Sequence, residues 1–500
     1  MKRLALMVVL LVLAACGPVP RPPVTPPAPP TPADHALTVQ VFVGDPSADA
    51  KLAGVEVSLR TAANPTGPAA ATDAAGNVTF RLPAGDYDVW TEPAGYSRAE
   101  QHVELRADTS VALSVAALPP PAPPRPPTIR GRLEARGRAF VYPDGTRFRW
   151  RGVTAFALLD QVADGREDQA RAFLVWARDT GFTVVRVLAM ARWLFDLSPE
   201  AGRAALPRLF ELVRDADLYV ELVALADTRA FPGLDLRGQV RAVGAQCAAV
   251  EHCLLEVANE PYHGTHVEGL TPARLADLAR EVPGPVLVAL GSAADDESRE
   301  MAIAPADYVT VHLDRGRDAW NMVRRVRELE LLSADTGLPV VDDEPDGFGE
   351  AEWVTRVDGT PYRRQVRPEL AFGMGVLGRV FEVGSTFHCE AGLTATVPGP
   401  VQQAAAAAFV AGARIVPDDQ VLSFRNAGWP GSPVSRFRAA DGPPIDHAAV
   451  RAYSGLAGDA AGITVLLGVR GDPAIEWGGG WRPGAVLAER PEIKVIEIRR

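Results

Sequence analysis

No stripe of lysine and arginine runs through the 500 residues, and the net charge is −11 with both signs spread along the chain. Proteins that bind nucleic acid present a basic surface, so no nucleic-acid partner is expected. Only four cysteines are present, and their spacing matches no zinc site. With 47% hydrophobic and 23% charged residues, the composition favours a large packed core, and the length predicts two to four domains.

No long apolar run follows the first sixteen residues, so a membrane-spanning helix is not expected elsewhere. The N-terminus has a positive start at Lys2 and Arg3 and a short apolar run, Leu4 to Leu13, which is typical of a signal peptide. The next residues, Leu13-Ala14-Ala15-Cys16, resemble a bacterial lipobox, which implies cleavage before Cys16 and lipidation of its thiol. An ordinary signal peptide with a chance cysteine is the alternative. The mature protein is expected to be lipid-anchored in the cell envelope, facing the periplasm or the cell exterior.

The three cysteines beyond Cys16 are Cys247, Cys253 and Cys389. Cys247 and Cys253 are close enough in sequence to form a disulfide, which can persist outside the cytoplasm, but two free thiols remain the alternative. Cys389 is expected to be a small buried hydrophobic residue.

Two proline-rich segments, residues 17–34 and 118–128, are typical of semi-rigid spacers between domains. Residues 35–117 between them alternate apolar and polar side chains with frequent turn signals, which predicts a small antiparallel β-sandwich. The run TDAAGNVTFRLPAGDYDV resembles the carboxypeptidase regulatory-like, transthyretin-like domains. This resemblance implies seven strands without chemistry of their own. A spacer role is expected, and weak sugar or partner binding is the alternative.

Buried apolar runs alternate with amphipathic helical runs over residues 129–415, which predicts eight β-then-α units. The predicted strands are Trp150–Phe156, Thr183–Leu188, Leu218–Leu225, Leu254–Ala258, Pro285–Leu290, Tyr308–His312, Pro339–Val341 and Ser385–His388. An α/β fold of this kind, a (β/α)8 TIM barrel, is therefore expected. A doubly wound open sheet is the rival, but no glycine-rich phosphate loop follows any of the strands. Residues 416–500 predict a small C-terminal β appendage packed on the barrel.

Two glutamates follow predicted barrel strands, each directly before a proline. Asn259 and Glu260 end the fourth strand in LLEVANEPYH, and Glu344 follows the seventh in LPVVDDEPDGFGE. Active groups of such barrels collect at the C-terminal ends of the strands. Glycoside hydrolysis needs two carboxylic side chains there, one to protonate the leaving oxygen and one to attack or stabilise the anomeric carbon. Asp342 and Asp343 are rivals of Glu344, and strand alternation predicts that Asp343 faces away from Glu344.

Residues 130 to about 415 resemble the retaining glycoside hydrolases of clan A, the cellulase and mannanase type. The stretches that carry this resemblance are DGTRFRWRGV, TVVRVLAM, VANEP, VTVHLD and STFHCEAG. It implies that Glu260 is the general acid/base and that Glu344 is the nucleophile. It further implies that Asn259 binds the sugar 2-hydroxyl and that Arg186 is a buried arginine beside the nucleophile. Three more strand-end residues are implied to lie near the site: His312, His388 and Glu390.

Aromatic side chains near the strand ends are candidate sugar platforms, with plain packing as the alternative. Trp193 follows the second strand, Trp320 follows the sixth, and Phe348 and Trp353 lie in the long loop after the seventh. Tyr262, two residues after the predicted acid, is a candidate substrate contact. The loop over residues 346–368 is long enough to form a wall or lid over the site.

The sequence therefore predicts a lipid-anchored retaining glycoside hydrolase that acts on an oligo- or polysaccharide and is expected to be a monomer. Glu260 would have its pKa raised by burial and act as acid and then base, while Glu344 would stay ionised with the help of Arg186. No metal and no organic cofactor are implied. The alternative is a non-catalytic barrel that binds glycans or scaffolds the cell envelope.

Overall fold

The computed structural model describes residues 34–43, 51–61, 67–91, 93, 99–115, 127–291, 305–313, 319–344, 353–355, 361–363, 368–428, 430–438, 451–469, 474–490 and 492–500. The chain divides into two compact units, residues 1–125 and 126–500. Cys16, Phe348 and all of the first spacer except Asp34 lie outside the described residues, as do nearly all of the second spacer and most of the loop over 346–368. Among the residues described, no helix has the length and apolar content to cross a membrane.

The N-terminal unit is a sandwich of two sheets. Its strands are β1 (Asp34–Val43), β2 (Glu56–Arg60), β3 (Ala69–Ala71), β4 (Asn77–Pro83), β5 (Gly85–Thr91), β6 (Ala99–Leu105) and β7 (Thr109–Val115). They pair in the orders β4-β1-β7 and β3-β2-β5-β6. The alternating apolar residues form one core, in which Val39, Val57 and Val89 are fully buried.

The seven described strands of this sandwich confirm the predicted number. The predicted all-antiparallel arrangement is wrong, because β1 pairs with β7 in parallel. The chain crosses from β6 in one sheet to β7 in the other. Because β7 and its neighbour β1 are not joined by a hairpin, they are not required to be antiparallel.

The C-terminal unit is built on an eight-stranded parallel sheet that forms a nearly closed barrel, as predicted. Its strands, with two hairpins, are β8 (Glu134–Arg136), β9 (Ala139–Val141), β10 (Arg151–Thr154), β11 (Val184–Leu188), β12 (Tyr219–Leu225), β13 (Cys253–Ala258), β14 (Val288–Gly291), β15 (Val309–Val311), β16 (Val340–Asp342), β17 (Trp353–Thr355), β18 (Pro361–Arg363) and β19 (Gly384–Phe387). The barrel order is β14-β13-β12-β11-β10-β19-β16-β15. All eight predicted strands are present, with ends that differ from the prediction by up to three residues.

Helices follow the barrel strands, as expected for β-then-α units. They are α1 (Leu158–Ala163), α2 (Glu167–Thr180), α3 (Pro199–Asp215), α4 (Leu236–Ala248), α5 (Pro272–Ala279), α6 (Ala319–Thr336), α7 (Pro368–Phe381), α8 (Glu390–Thr394) and α9 (Pro400–Ala413), with a 3-10 turn at Thr228–Ala230. The ring is joined between β14 and β15 at Asp307. Its backbone N–H donates to the carbonyl of Val288, and its carboxylate accepts from the Val288 N–H, both at 2.9 Å.

Aromatic side chains close the N-terminal end of the barrel. The β8-β9 hairpin brings Phe140 to this end, where its ring centroid lies 5.3 Å from that of Trp150 and 5.4 Å from that of Tyr308. The unit also begins here, because the Asp217 carboxylate, just before β12, accepts hydrogen bonds from the backbone of Thr128 at 2.7 Å and of Ile129 at 2.9 Å. The opposite, C-terminal end is left as the mouth of the barrel.

A disulfide joins Cys247, at the end of α4, to Cys253, at the start of β13. The pairing left open by the sequence is therefore present. Cys389 is fully buried, as predicted.

The predicted C-terminal β appendage is also present. Its strands are β20 (Ser423–Asn426), β21 (Val434–Arg438), β22 (Arg451–Ala457), β23 (Ala461–Val469), β24 (Ala474–Trp477), β25 (Arg482–Arg490) and β26 (Glu492–Arg499). Five form a sheet in the order β20-β22-β23-β26-β25, and β21 pairs with β24. The appendage packs on α7, where the Phe381 ring meets Phe424 and Tyr453 edge-on at centroid distances of 4.8 and 5.3 Å.

Candidate active site

Arg186 lies inside the barrel because side chains alternate along β11. Val185 and Val187 point outward into the core beneath the helices, so Arg186 between them points inward and is fully buried. A buried guanidinium needs carboxylates around it to offset the loss of water. The neighbouring strands supply them.

Three fully buried carboxylates surround this guanidinium. Glu256 on β13 accepts from Nε and Nη2 of Arg186 at 3.1 and 2.8 Å. Asp343 Oδ2 lies 3.0 Å from Arg186 Nε, and Glu221 on β12 lies 3.8 Å from the same nitrogen. Burial opposes the charge of Arg186, but Asp343, Glu256, Glu344 and Glu221 together hold its pKa well above the ordinary value.

The Glu221 carboxyl group is fully buried in this layer. Burial and the nearby charge of Glu256 raise its pKa to about 8, although Arg186 acts in the opposite direction. One of its oxygens accepts a hydrogen bond from the Tyr308 hydroxyl at 2.8 Å. The other has no hydrogen-bond partner among the described residues. That oxygen is the one that faces Arg186 Nε at 3.8 Å, beyond hydrogen-bonding distance.

Glu344 reaches the same guanidinium from above the strand ends. Its Oε2 accepts from Arg186 Nη1 at 3.1 Å, and the side chain is 9% exposed. The prediction that Asp343 faces away from Glu344 is wrong, because both carboxylates contact Arg186. On β16, Val341 points inward and packs against the aromatic side chains that close the N-terminal end of the barrel. By alternation, Asp343 also points inward. The strand ends at Asp342, so the backbone beyond it no longer alternates and Glu344 also turns inward.

The backbone at Glu260 has a left-handed conformation, with φ of 41°. Such a φ is unfavourable for a non-glycine residue and persists only where surrounding contacts fix it. Asn259 supplies two of these contacts, because its N–H donates to the Leu225 carbonyl at 2.9 Å and its Oδ1 accepts from Arg186 Nη2 at 2.8 Å. His266 supplies a third through Nε2, which bonds the Asn259 carbonyl. Burial lowers the pKa of His266, so this imidazole is neutral.

His312 lies between the two predicted glutamates. Its Nδ1 is 3.1 Å from Glu260 Oε1, and its Nε2 is 3.4 Å from Glu344 Oε2. One carboxylate oxygen of each glutamate and one nitrogen of His312 lie within 4.8 Å of one another. At least one oxygen of Glu260 therefore lies within 4.8 Å of an oxygen of Glu344, so the two carboxyl groups face a common space at the mouth of the barrel.

Residues 38–118 match the model of the carboxypeptidase regulatory-like domain. This match confirms the resemblance of the N-terminal sandwich to that family. No curated protein matches the chain at a significant level.

Several solved structures are similar to this chain over part of its length. A glycoside hydrolase family 5 protein from Bacteroides vulgatus ATCC 8482 is 12% identical, with a TM-score of 0.49 and coverage of 74% of this chain and 93% of that one. A glycoside hydrolase family 5 mannosidase from Rhizomucor miehei is 11% identical, with a TM-score of 0.41 and coverage of 57% and 99%. The GH5_18 protein from Streptomyces cattleya, solved with GlcNAc, is 15% identical, with a TM-score of 0.38 and coverage of 54% and 82%. At these identities and TM-scores, the similarity does not assign a chemistry to this chain.

Three of the remaining predicted residues have described side chains. His388 is buried against Phe156, at a ring distance of 5.7 Å, and Phe156 in turn faces the Arg186 guanidinium at 5.4 Å. Trp193 is 63% exposed and Tyr262 is 41% exposed, so both are accessible to a ligand. Glu390 is the first residue of α8, Trp320 lies in α6 and Trp353 lies in β17. The side chains of all three are outside the described part of the structure.

Several site residues could not be found from the sequence. Glu221 and Glu256 are single acids inside apolar runs, and only the pairing of β11 with β12 and of β12 with β13 brings them to Arg186. Tyr308 was predicted only as part of a strand. The available signal was an acid within a strand that is otherwise buried on both faces, which demands a buried partner of opposite charge.

Within the part of the chain that the structure describes, two sets of side chains have the spacing to hold a cation: Glu260, His312 and Glu344, and below them Glu221, Glu256 and Asp343. In the lower set the guanidinium of Arg186 already supplies the positive charge, at 2.8 Å from Glu256 and 3.0 Å from Asp343. In the upper set, Glu344 contacts the same guanidinium at 3.1 Å. The arrangement is therefore suited to acid–base and nucleophilic chemistry by the two glutamates.

Proposed function

We propose that the barrel is a retaining glycoside hydrolase, with Glu260 as general acid/base and Glu344 as nucleophile. The observation that carries this proposal is the spacing of the two carboxylates at the mouth, whose nearest oxygens lie within 4.8 Å of each other. A sugar C–O bond placed between them would have a nucleophile on one side and a proton donor on the other.

The two glutamates differ in environment in the way that the two roles require. The Glu344 side chain is 9% exposed and bonded to Arg186, which favours its ionised form and fixes its position. The Glu260 side chain is 38% exposed, so the burial expected for it is only partial. An acid/base at the mouth can exchange its proton with water between the two steps of the reaction.

In the first step, an oxygen of Glu344 bonds to the anomeric carbon as the glycosidic C–O bond breaks. Glu260 gives its proton to the leaving oxygen. In the second step, Glu260 takes a proton from a water molecule, whose oxygen attacks the anomeric carbon and releases the Glu344 carboxylate. His312 lies within reach of both carboxylates and would hold them in position through both steps.

Chemical rescue with azide tests the two roles. The full chain would be screened against 2,4-dinitrophenyl and 4-nitrophenyl glycosides of both anomers, carrying glucosyl, mannosyl, galactosyl and cellobiosyl groups. Glu344→Ala should abolish turnover of every active substrate, and azide should restore it with a glycosyl azide of inverted configuration. Glu260→Ala should lose about 10²–10⁴-fold on poor leaving groups, spare the dinitrophenyl substrates in part, and give an azide of retained configuration.

Glu268, exposed in the same loop as Glu260, provides the matched control, and Glu268→Ala should keep wild-type rates. Hydrolysis that survives Glu344→Ala without azide would contradict the proposed nucleophile. Glycan binding without hydrolysis in the wild type, unchanged in both variants, would instead support the non-catalytic barrel.

We further propose that the protein acts as a monomer on an oligo- or polysaccharide while anchored in the cell envelope through lipid on Cys16. The support is the Leu13-Ala14-Ala15-Cys16 motif after a short apolar run. Cys16→Ser should move the protein from the membrane to the soluble fraction. Retention of this variant in the membrane would contradict a lipid anchor at Cys16.

A further inference from the structure

A cavity lies at the closed end of the barrel, away from the two glutamates. It sits between the first and last strands, β10 and β19, and helices α7 and α9, and offers about 40 Å³ to the centre of a water molecule. Since one water needs ~10–15 Å³ by this measure, there is room for about three waters or one small ion. The charged residues that line it are Arg138, Arg147, Arg149, Arg151, Arg379 and Glu382.

The charges around this cavity do not balance. Three arginines share the single carboxylate of Glu382: Arg147 at 2.8 Å, Arg379 at 2.6 Å, and Arg149. Three positive charges against one negative charge leave an excess of two (3 − 1). Arg151 and Arg138 have acidic partners of their own, Asp418 at 2.9 Å and Glu330 at 3.1 Å, so they do not change this excess.

Two buried polar atoms that belong to residues lining the cavity have no hydrogen-bond partner among the described residues. They are Nε of Arg379 and Oγ of Ser385, whose side chains belong to residues only 4% and 3% exposed. Buried polar groups in folded proteins are nearly always paired, so such atoms point to a bound water or ion. Burial and the charge of Arg149 lower the pKa of Arg379 to about 10, as expected where positive charge is in excess.

We propose that this cavity binds a small oxyanion of the phosphate class, either free or as the terminal group of a phosphate monoester. Guanidinium groups offer paired N–H donors that match the oxygens of such an anion. One dianion would neutralise the excess of two positive charges and accept hydrogen bonds from Arg379 Nε and Ser385 Oγ. The site is independent of the glutamates at the mouth, because it lies at the other end of the strands.

The full chain would be titrated with inorganic phosphate by calorimetry, with sodium chloride adjusted to keep the ionic strength constant. The expected result is one saturable site. Arg147→Gln removes a side chain that is 33% exposed and so should fold, and it should weaken phosphate binding about tenfold or more. Arg241→Gln, the same change on the exposed face of α4, should leave binding unchanged.

A second variant fills the cavity and leaves its charges in place. A Cβ added at Gly378 would meet Val383 O at 3.5 Å and Ser385 Cβ at 3.7 Å, which are ordinary contacts. Gly378→Met is therefore tolerated at its Cβ, extends into the cavity and should abolish binding. Absence of saturable binding in the wild type, or binding that both variants leave unchanged, would overturn the proposal.

The source of the phosphate group is resolved by competition. Vesicles of phosphatidylcholine containing phosphatidic acid would be added to the phosphate-bound protein, with pure phosphatidylcholine vesicles as the control. Displacement by the phosphatidic acid vesicles alone would support a lipid headgroup as ligand. Saturable phosphate binding that neither kind of vesicle displaces would support a soluble phosphate.

Discussion

The Nδ1 atom of His312 lies 3.1 Å from the Oε1 atom of Glu260, although 52 residues separate them in the chain. The other ring nitrogen of His312 faces Glu344 at 3.4 Å. A single imidazole therefore contacts both members of the proposed catalytic pair.

Substitution of His312 should disturb one glutamate or the other, depending on which nitrogen is kept. His312→Asn keeps a polar atom near Nδ1, and His312→Gln keeps one near Nε2. Each should lower kcat/KM by about 10–100-fold, the loss expected for one hydrogen bond to a charged group. The measurement is steady-state kinetics on the best aryl glycoside, with His102→Asn, exposed in the sandwich, as control. Unchanged kinetics in both variants would remove His312 from the site.

Glu221 should make stability depend on pH. Its pKa is raised from 4.5 to about 8, so between these values the folded chain keeps a proton that the unfolded chain has lost. The protonated Glu221 therefore stabilises the folded chain fully below pH 4.5, and this stabilisation is lost as pH rises towards 8, by about 1.4 kcal/mol per pH unit. Glu221→Gln removes this pH dependence of the free energy of unfolding.

Urea unfolding at pH 5 and pH 7.5 provides the check on Glu221. The free energy of unfolding of the wild type, relative to Glu221→Gln, should fall by about 3 kcal/mol between the two pH values. Glu211→Gln on α3, which is half exposed, should show no such change. A constant difference between wild type and Glu221→Gln would show that Glu221 is ionised throughout.

Removal of Arg186 should unfold the barrel before it informs on catalysis. Arg186→Met leaves the buried Glu256 and Asp343 without their counter-charge. Loss of one partner from such a buried network destabilises a protein by about 3–5 kcal/mol. Arg208→Met, which breaks partly exposed ion pairs on α3, should change stability by about 1 kcal/mol or less. Equal effects in urea unfolding would contradict this role of Arg186.

The disulfide should stabilise the barrel at the start of β13, the strand that leads to Glu260. Cys247 and Cys253 are six positions apart, and closing so short a loop is worth about 2 kcal/mol in the unfolded-chain model. The double variant Cys247→Ser, Cys253→Ser should lose this amount in urea unfolding and become insensitive to dithiothreitol. A wild type that dithiothreitol does not destabilise would show that the bond contributes nothing.

The barrel strands could be predicted because each is buried on both faces. Leu254–Ala258 and Leu218–Leu225 are continuous apolar runs interrupted by one acid each, and the turn residues at their ends fix the boundaries closely. Glu260 and Glu344 could be found for the same reason, since polar residues directly after such runs lie at the mouth.

The inner polar layer could not be predicted, because it depends on the pairing of strands. Arg186 meets Glu221 only in the observed register, where the two are direct neighbours on β11 and β12. Asp343 was misplaced because alternation was counted from Glu344, whereas the strand ends at Asp342. The β8-β9 hairpin was missed because its strands are three residues each, too short for a period to be seen.

The carboxylate of Asp217 fixes where a pull on the chain would be felt. Asp217 lies just before β12 and accepts hydrogen bonds from the backbone of Thr128 and Ile129. These contacts are at the end of the barrel that the aromatic side chains close. Tension applied through the chain before Pro127 therefore reaches the barrel at its sealed base. The mouth with Glu260 and Glu344 lies at the far end of the same strands, so such a force does not act on it directly.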